Sequence, residues 1–208
     1  SNPLSRSIFK YFAPAQQQIG LHWHHFNQPV LPPIVDLQPA ANTADPDKVL
    51  VYLPFEDQQQ VIQWLKPLSN YQFYLYGPGL VKNQQGHIQC SGPCVDDFKH
   101  DLHQSYAVLS NAGFELVSEA LQLQKRILVK ALQGQMEQES NALALTQLQL
   151  GQSSSRLNTE VIADWLASPA RANKVHYANV ALALATWIRA GACPTELQQL
   201  NLWQNHKL

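Results

Sequence analysis

The chain has 208 residues, enough for one domain with a full hydrophobic core and too few for two large ones. Only 14% of its residues are charged and the formal net charge is -1, with neither a basic stripe nor a run of like charges, so nucleic acid is excluded as an expected partner. No apolar stretch reaches the length of a membrane span, and the expectation of a cytoplasmic protein rests on cysteines that read as reduced.

In chain order, Ile8, Phe9, Tyr11 and Phe12 predict a short helix that Pro14 ends. The Pro-rich stretch that follows makes residues 1–47 read as a connector, with residues 48–208 as the domain proper. The run Val49 to Leu53 is continuously apolar, as a strand buried on both faces should be. A helix is expected over 56–66, a strand over 71–76 closed by Gly77-Pro78-Gly79, and a short strand over 87–89. A helix over 96–104, a strand over 106–109, a helix over 113–124 and a strand over 127–129 come next. The helix of 136–150 is expected to be capped by Gly151, and two more helices cover 159–166 and 174–190. In the last, Tyr177, Ala181, Leu184 and Ile188 mark one face. Strands alternating with helices imply an α/β fold: a Rossmann-like parallel sheet with helices on both faces and ligands at the C-terminal strand edge.

Cysteine and histidine carry little chemistry. Cys90, Cys94 and Cys193 are an odd number and read as reduced thiols. Cys90 and Cys94 lack the second ligand pair that a structural zinc site needs, and His22, His24 and His25 around Trp23 read as packing, so no metal is expected. No GxSxG elbow supports a hydrolase.

The informative stretch runs from Tyr106 to Asn141. A buried strand turns through Ser110-Asn111-Ala112-Gly113-Phe114 into a helix, where small residues permit close backbone approach and unpaired N–H groups favour an anion. Glu115, Ser118, Glu119 and Gln122 form a polar face on that helix, opposite Phe114, Val117 and Leu121. Spacing alone reads this as a solvated face, with the like charges of Glu115 and Glu119 mildly repulsive. A carboxylate one turn into a phosphate-binding helix is equally placed to accept from two ribose hydroxyls. Glu137, Gln138 and Asn141 open the next helix beside the same edge, in a pattern that suits a polyhydroxylated ligand or simple capping.

The segment SNAGFELVSEALQLQKRILVKALQGQMEQESNA (residues 110–142) resembles the donor site of GT-B glycosyltransferases. It is most similar to a bacterial and archaeal family-28-like group, and FAPA, GLHWHHF, LPPIV and VLVYLPFE extend the resemblance over nearly the whole chain. The resemblance implies the C-terminal, donor-binding half of a two-domain enzyme whose N-terminal acceptor domain lies upstream of Ser1. It implies transfer from a nucleoside-diphosphate sugar, with UDP-sugar expected, by inversion and without metal or other cofactor. It assigns Asn111, Ala112, Gly113 and Phe114 to the diphosphate, Glu119 to the ribose, and Glu137 and Gln138 to the donor sugar. The base is expected near Ile88 to Cys90, and Lys130 is expected to pair with Glu115 or with phosphate. The general base belongs to the upstream domain, with His22 and His25 candidates by residue type only, so this chain alone is expected to bind without turnover. An acceptor at a membrane surface is compatible with the full-length protein. A nucleotide-sugar 2-epimerase of the same architecture, or a non-catalytic nucleotide-sugar-binding module, is the alternative.

Overall fold

A computed structural model of the chain describes residues 18–35, 44–169, 175–194, 197 and 200–203. The helix expected over 8–12 lies outside the described residues. Two short parallel strands, β1 (Gly20–Leu21) and β2 (Val30–Leu31), pair with each other. The main sheet contains β3 (Asp45–Tyr52), β4 (Gln72–Tyr76), β5 (Asn83–Gln85), β6 (Ile88–Ser91), β7 (Ser105–Asn111), β8 (Arg126–Lys130) and β9 (Gln152–Ser153). Its order is β5-β6-β4-β3-β7-β8-β9, parallel throughout except for the edge strand β5. The sheet is therefore the α/β, Rossmann-like sheet that the alternation predicts, with a reversal of strand order between β3 and β7.

Helices α1 (Gln58–Leu65), α2 (Val95–Gln104), α3 (Phe114–Gln122), α4 (Met136–Gln147), α5 (Thr159–Ala167) and α6 (Val180–Arg189) connect and cover the strands. Alternate residues of each central strand feed two separate cores, as pleating requires. Leu50, Val108, Ile127 and Val129 pack with Val117 and Leu121 of α3 and Leu145 of α4. Val49, Val51, Leu109 and Leu128 pack on the opposite face with Val61, Ile62 and Leu65 of α1 and Ile162 and Trp165 of α5. Because α1 leaves β3 toward one face and α3 leaves β7 toward the other, a crevice opens between these neighbouring strands at their C-terminal ends.

Several expected boundaries shift for local reasons. Helix α1 starts at Gln58 because Asp57 caps it, accepting from Gln60 N at 2.8 Å. Helix α4 ends at Gln147, and its left-handed residue is Gln149 (φ 55), so Gly151 is no cap. Gly151 instead sits where an added Cβ would meet a Leu145 methyl at 2.9 Å and the Ile127 carbonyl oxygen at 3.0 Å. Helix α6 begins at Val180, with Asn179 accepting from Leu182 N, which leaves Tyr177 outside it. Its inward residues are Val180 and Trp187, and Ile188 is exposed, so the face expected from Ala181, Leu184 and Ile188 is corrected by about one position. Strands β5 and β9 carry too few apolar residues to be seen by pattern.

Trp23 ties the stretch 18–35 to the main sheet. Trp23 is fully buried in the core beneath α3, and its Nε1 donates to Ser118 Oγ at 2.8 Å. Its ring stacks on Phe114 with centroids 5.3 Å apart.

Candidate nucleotide-sugar site at the strand edge

The loop expected to hold a diphosphate closes at the end of β7. Register pairs Asn111 with Lys130, and Asn111 Nδ2 and Ala112 N both donate to the Lys130 carbonyl, at 3.1 and 3.2 Å. From the other side, Asn141 Nδ2 donates to the Ala112 carbonyl at 3.0 Å, so the first turns of α4 brace this loop. Gly113 precedes α3 with an ordinary φ of -68° and offers no side-chain cap. An added Cβ there would meet nothing within 4 Å, so open space lies beside the uncapped N–H groups of the first turn. Asn111 is 6% exposed and its Oδ1 has no partner among the described residues.

The helix face expected to be uniformly solvated divides in two. Ser118 and Gln122 are buried: Ser118 Oγ receives the Trp23 indole and donates to the Phe114 carbonyl, while Gln122 Oε1 accepts from Tyr177 N at 2.8 Å. The tertiary cover comes from the 18–35 and 175–179 stretches, which no periodicity within α3 reveals. Glu115 and Glu119 face the other way, into a cleft of about 400 Å³. Its remaining walls include Tyr52 at the end of β3, Tyr76 at the end of β4, and Pro93, Cys94 and Phe98. Phe98 meets Tyr52 and Tyr76 edge-to-face, at 5.4 and 5.1 Å between centroids. Of the stretch expected to hold the base, Ile88 and Cys90 are fully buried in the core, and the cleft is lined by the residues after β6, from Pro93 onward. The signal that could have found it is Gly92-Pro93 at a strand end, a turn on the ligand-bearing edge.

Tyr76 has a further partner. Its hydroxyl donates to Asp101 Oδ2 at 2.5 Å, and Asp101 Oδ1 receives Lys48 Nζ at 2.8 Å. Burial, followed by the Asp101 hydrogen bond and charge, pushes the Tyr76 hydroxyl well above the usual tyrosine range, so it stays protonated as a donor.

Glu137 is exposed in the first turn of α4. Gln138 is buried, and its Oε1 accepts from Leu132 N at 3.1 Å, holding the turn that leads into the helix. Lys130 is paired with a residue other than Glu115. Its Nζ lies 2.6 Å from Glu56 Oε1, in a pair that sequence reasoning missed because 74 residues separate the two. The histidines near Trp23 are turned inward on their own backbone: Nδ1 of His22, His24 and His25 accepts from the amides of Trp23, Phe26 and Asn27. Burial, then the neighbouring His24, holds His22 below the usual histidine range.

Residues 20–169 match the family described as glycosyl transferase family 1. The chain belongs to this family. The match spans the Trp23 stretch, the crevice and both helices that frame it. The calicheamicin glycosyltransferase CalG4 has the same fold, with a TM-score of 0.50 and 14% identity over 67% of this chain and 38% of that one. The glycosyltransferase SnogD from Streptomyces nogalater is similar at a TM-score of 0.47 and 17% identity, over 67% of this chain and 42% of its own. This family 1 chain thus spans about 38% to 42% of the length of these structures. No curated protein matches it. Its sheet is the Rossmann-like sheet of GT-B glycosyltransferases. No helix among the described residues is long and apolar enough to cross a membrane.

Proposed function

We propose that this family 1 chain is the donor-binding half of a glycosyltransferase, C-terminal to an acceptor-binding domain and of family-28-like kinship. It takes a nucleoside-diphosphate sugar, a UDP-sugar, and transfers the sugar to an acceptor hydroxyl with inversion and without metal. The observation that carries this reading is the convergence of Glu119 with the uncapped start of α3 at the β3–β7 crevice.

In this reading the base occupies the apolar cleft against Phe98 and Pro93, and Glu119 accepts from the ribose hydroxyls. The diphosphate meets the N–H groups at Gly113 and Phe114, where the helix dipole favours negative charge. Glu137 and Gln138 stand on the sugar side. The acceptor oxygen attacks the anomeric carbon as the bond to the diphosphate oxygen breaks. Charge gathers on that leaving oxygen, where fixed N–H donors stabilise it without reorganisation. The hydroxyl proton goes to a base on the acceptor half.

Calorimetric titration with UDP, UDP-sugars and GDP tests the assignment. The wild type should bind UDP, and Glu119→Ala should weaken binding by more than the roughly 1.4 kcal/mol of a tenfold change. A folded wild type that binds none of these nucleotides, or a Glu119→Ala variant of undiminished affinity, would overturn it.

A further inference from the structure

The Glu56–Lys130 pair joins the end of β8 to the loop after β3, at the C-terminal edge of the sheet. Lys130 follows Leu128 by two residues and Asn111 follows Leu109 by two, so alternation puts both on the α1 side of the sheet. β7 lies between β3 and β8, and Glu56 belongs to the loop after β3. To reach Glu56, the Lys130 side chain therefore runs past Asn111, along the edge where the diphosphate loop stands.

The two ends of this bridge are held differently. Glu56 is fixed from behind: Gln58 Nε2 donates to the Leu53 and Glu56 carbonyls, each at 2.8 Å. The carboxamide of Gln58 fills the space a side chain at Gly77 would take, since an added Cβ would lie 2.2 Å from its Oε1. The Lys130 side chain is 22% exposed, nearly twice the 12% of Glu56, and ends on a flexible four-carbon stem. An anion entering beside Asn111 competes with Glu56 for this ammonium, and a diphosphate carries more charge than one carboxylate.

We propose that Lys130 is the counter-cation of the donor diphosphate, held in reserve by Glu56 until the nucleotide arrives. This rests on the donor-site reading and adds to it a residue and an exchange: the Lys130–Glu56 bond breaks as a Lys130–phosphate bond forms, and no proton need move. A side-chain cation then joins the helix N–H groups in taking up the leaving-group charge. Glu56 acts as the positioning residue, and its carboxylate opposes binding by competing for the lysine.

The test compares UDP, GDP, ADP and dTDP, each beside its parent nucleoside, on the full chain by calorimetry. For whichever diphosphate binds the wild type most tightly, Lys130→Met should weaken it tenfold or more and change the nucleoside less than twofold. Lys130→Arg should keep most of the affinity. Glu56→Gln should tighten the diphosphate threefold or more, the opposite sign, with the nucleoside again unchanged. A purely structural pair would behave otherwise: both variants would weaken diphosphate and nucleoside alike, or Glu56→Gln would weaken the diphosphate, and either result overturns the proposal. If no diphosphate binds the folded wild type, the donor-site reading itself falls and takes this proposal with it. Thermal melts of each variant separate lost affinity from lost fold.

Discussion

Two lysine–carboxylate pairs in this chain share the same chemistry and differ in their surroundings. Lys48 Nζ is 2.8 Å from Asp101, with side chains 5% and 9% exposed, and each partner is engaged again: Lys48 by Gln104 and the Tyr74 ring, Asp101 by Tyr76. Lys130 meets Glu56 at the C-terminal strand edge, more exposed, where Asn111 keeps a buried oxygen without a partner among the described residues. A pair whose remaining hydrogen-bonding capacity is satisfied by protein is part of the scaffold. A pair that is partly exposed at the strand edge can exchange partners. A third lysine completes the series. Lys125 is 5% exposed and donates to the His103 carbonyl at 2.6 Å, and burial lowers its pKa to about 8.

The largest effect should come from breaking the satisfied pair. Asp101→Ala leaves Lys48 buried without a counter-charge and should cost about 3–5 kcal/mol in urea unfolding. Nucleotide affinity at the edge should change less than threefold. An Asp101→Ala protein of wild-type stability would show that Lys48 is not held as a buried charge. Next, Gly77→Ala should displace Gln58 and its two hydrogen bonds to the Glu56 loop, costing about 1–2 kcal/mol. It should also mimic Glu56→Gln in tightening diphosphate binding, an effect that no change confined to the scaffold pair would give.

The Lys125 contrast is read from pH. Its folded pKa lies below the unfolded value of 10.5, so the unfolded chain binds more protons between those values. The destabilising contribution is complete below pH 8 and fades as pH rises to 10.5, so stability should climb across that window. Lys125→Met should flatten this climb in unfolding curves taken at several pH values, and an unchanged slope would assign it to other groups. The smallest effect is expected at the crevice pair. Glu56→Gln keeps an acceptor for Lys130 at a partly exposed position and should cost less than about 1 kcal/mol. Should it cost as much as Asp101→Ala, the two pairs would be alike and the contrast between scaffold and edge would fail.

The residue pattern by itself determined the alternation of strands and helices, the buried runs of β3, β7 and β8, and which chain positions reach the C-terminal strand edge. Those features are local: burial on both strand faces demands continuous apolar runs, and a helix after a small-residue turn presents its N–H groups whatever lies elsewhere. The shared stripe of Glu115 and Glu119 was legible for the same reason, through their i and i+4 spacing, whereas a ribose role for Glu119 came only from the family resemblance. Only the tertiary structure decided how each stripe was used. Ser118 and Gln122 look as solvated as Glu115 and Glu119 until Trp23 and Tyr177, distant in sequence, cover them. Lys130 looks like a neighbour of Glu115 until the order β3-β7-β8 brings Glu56 across the crevice. A charged side chain's partner depends on which strands lie side by side, and strand order follows from the packing of the whole sheet, which no single segment encodes.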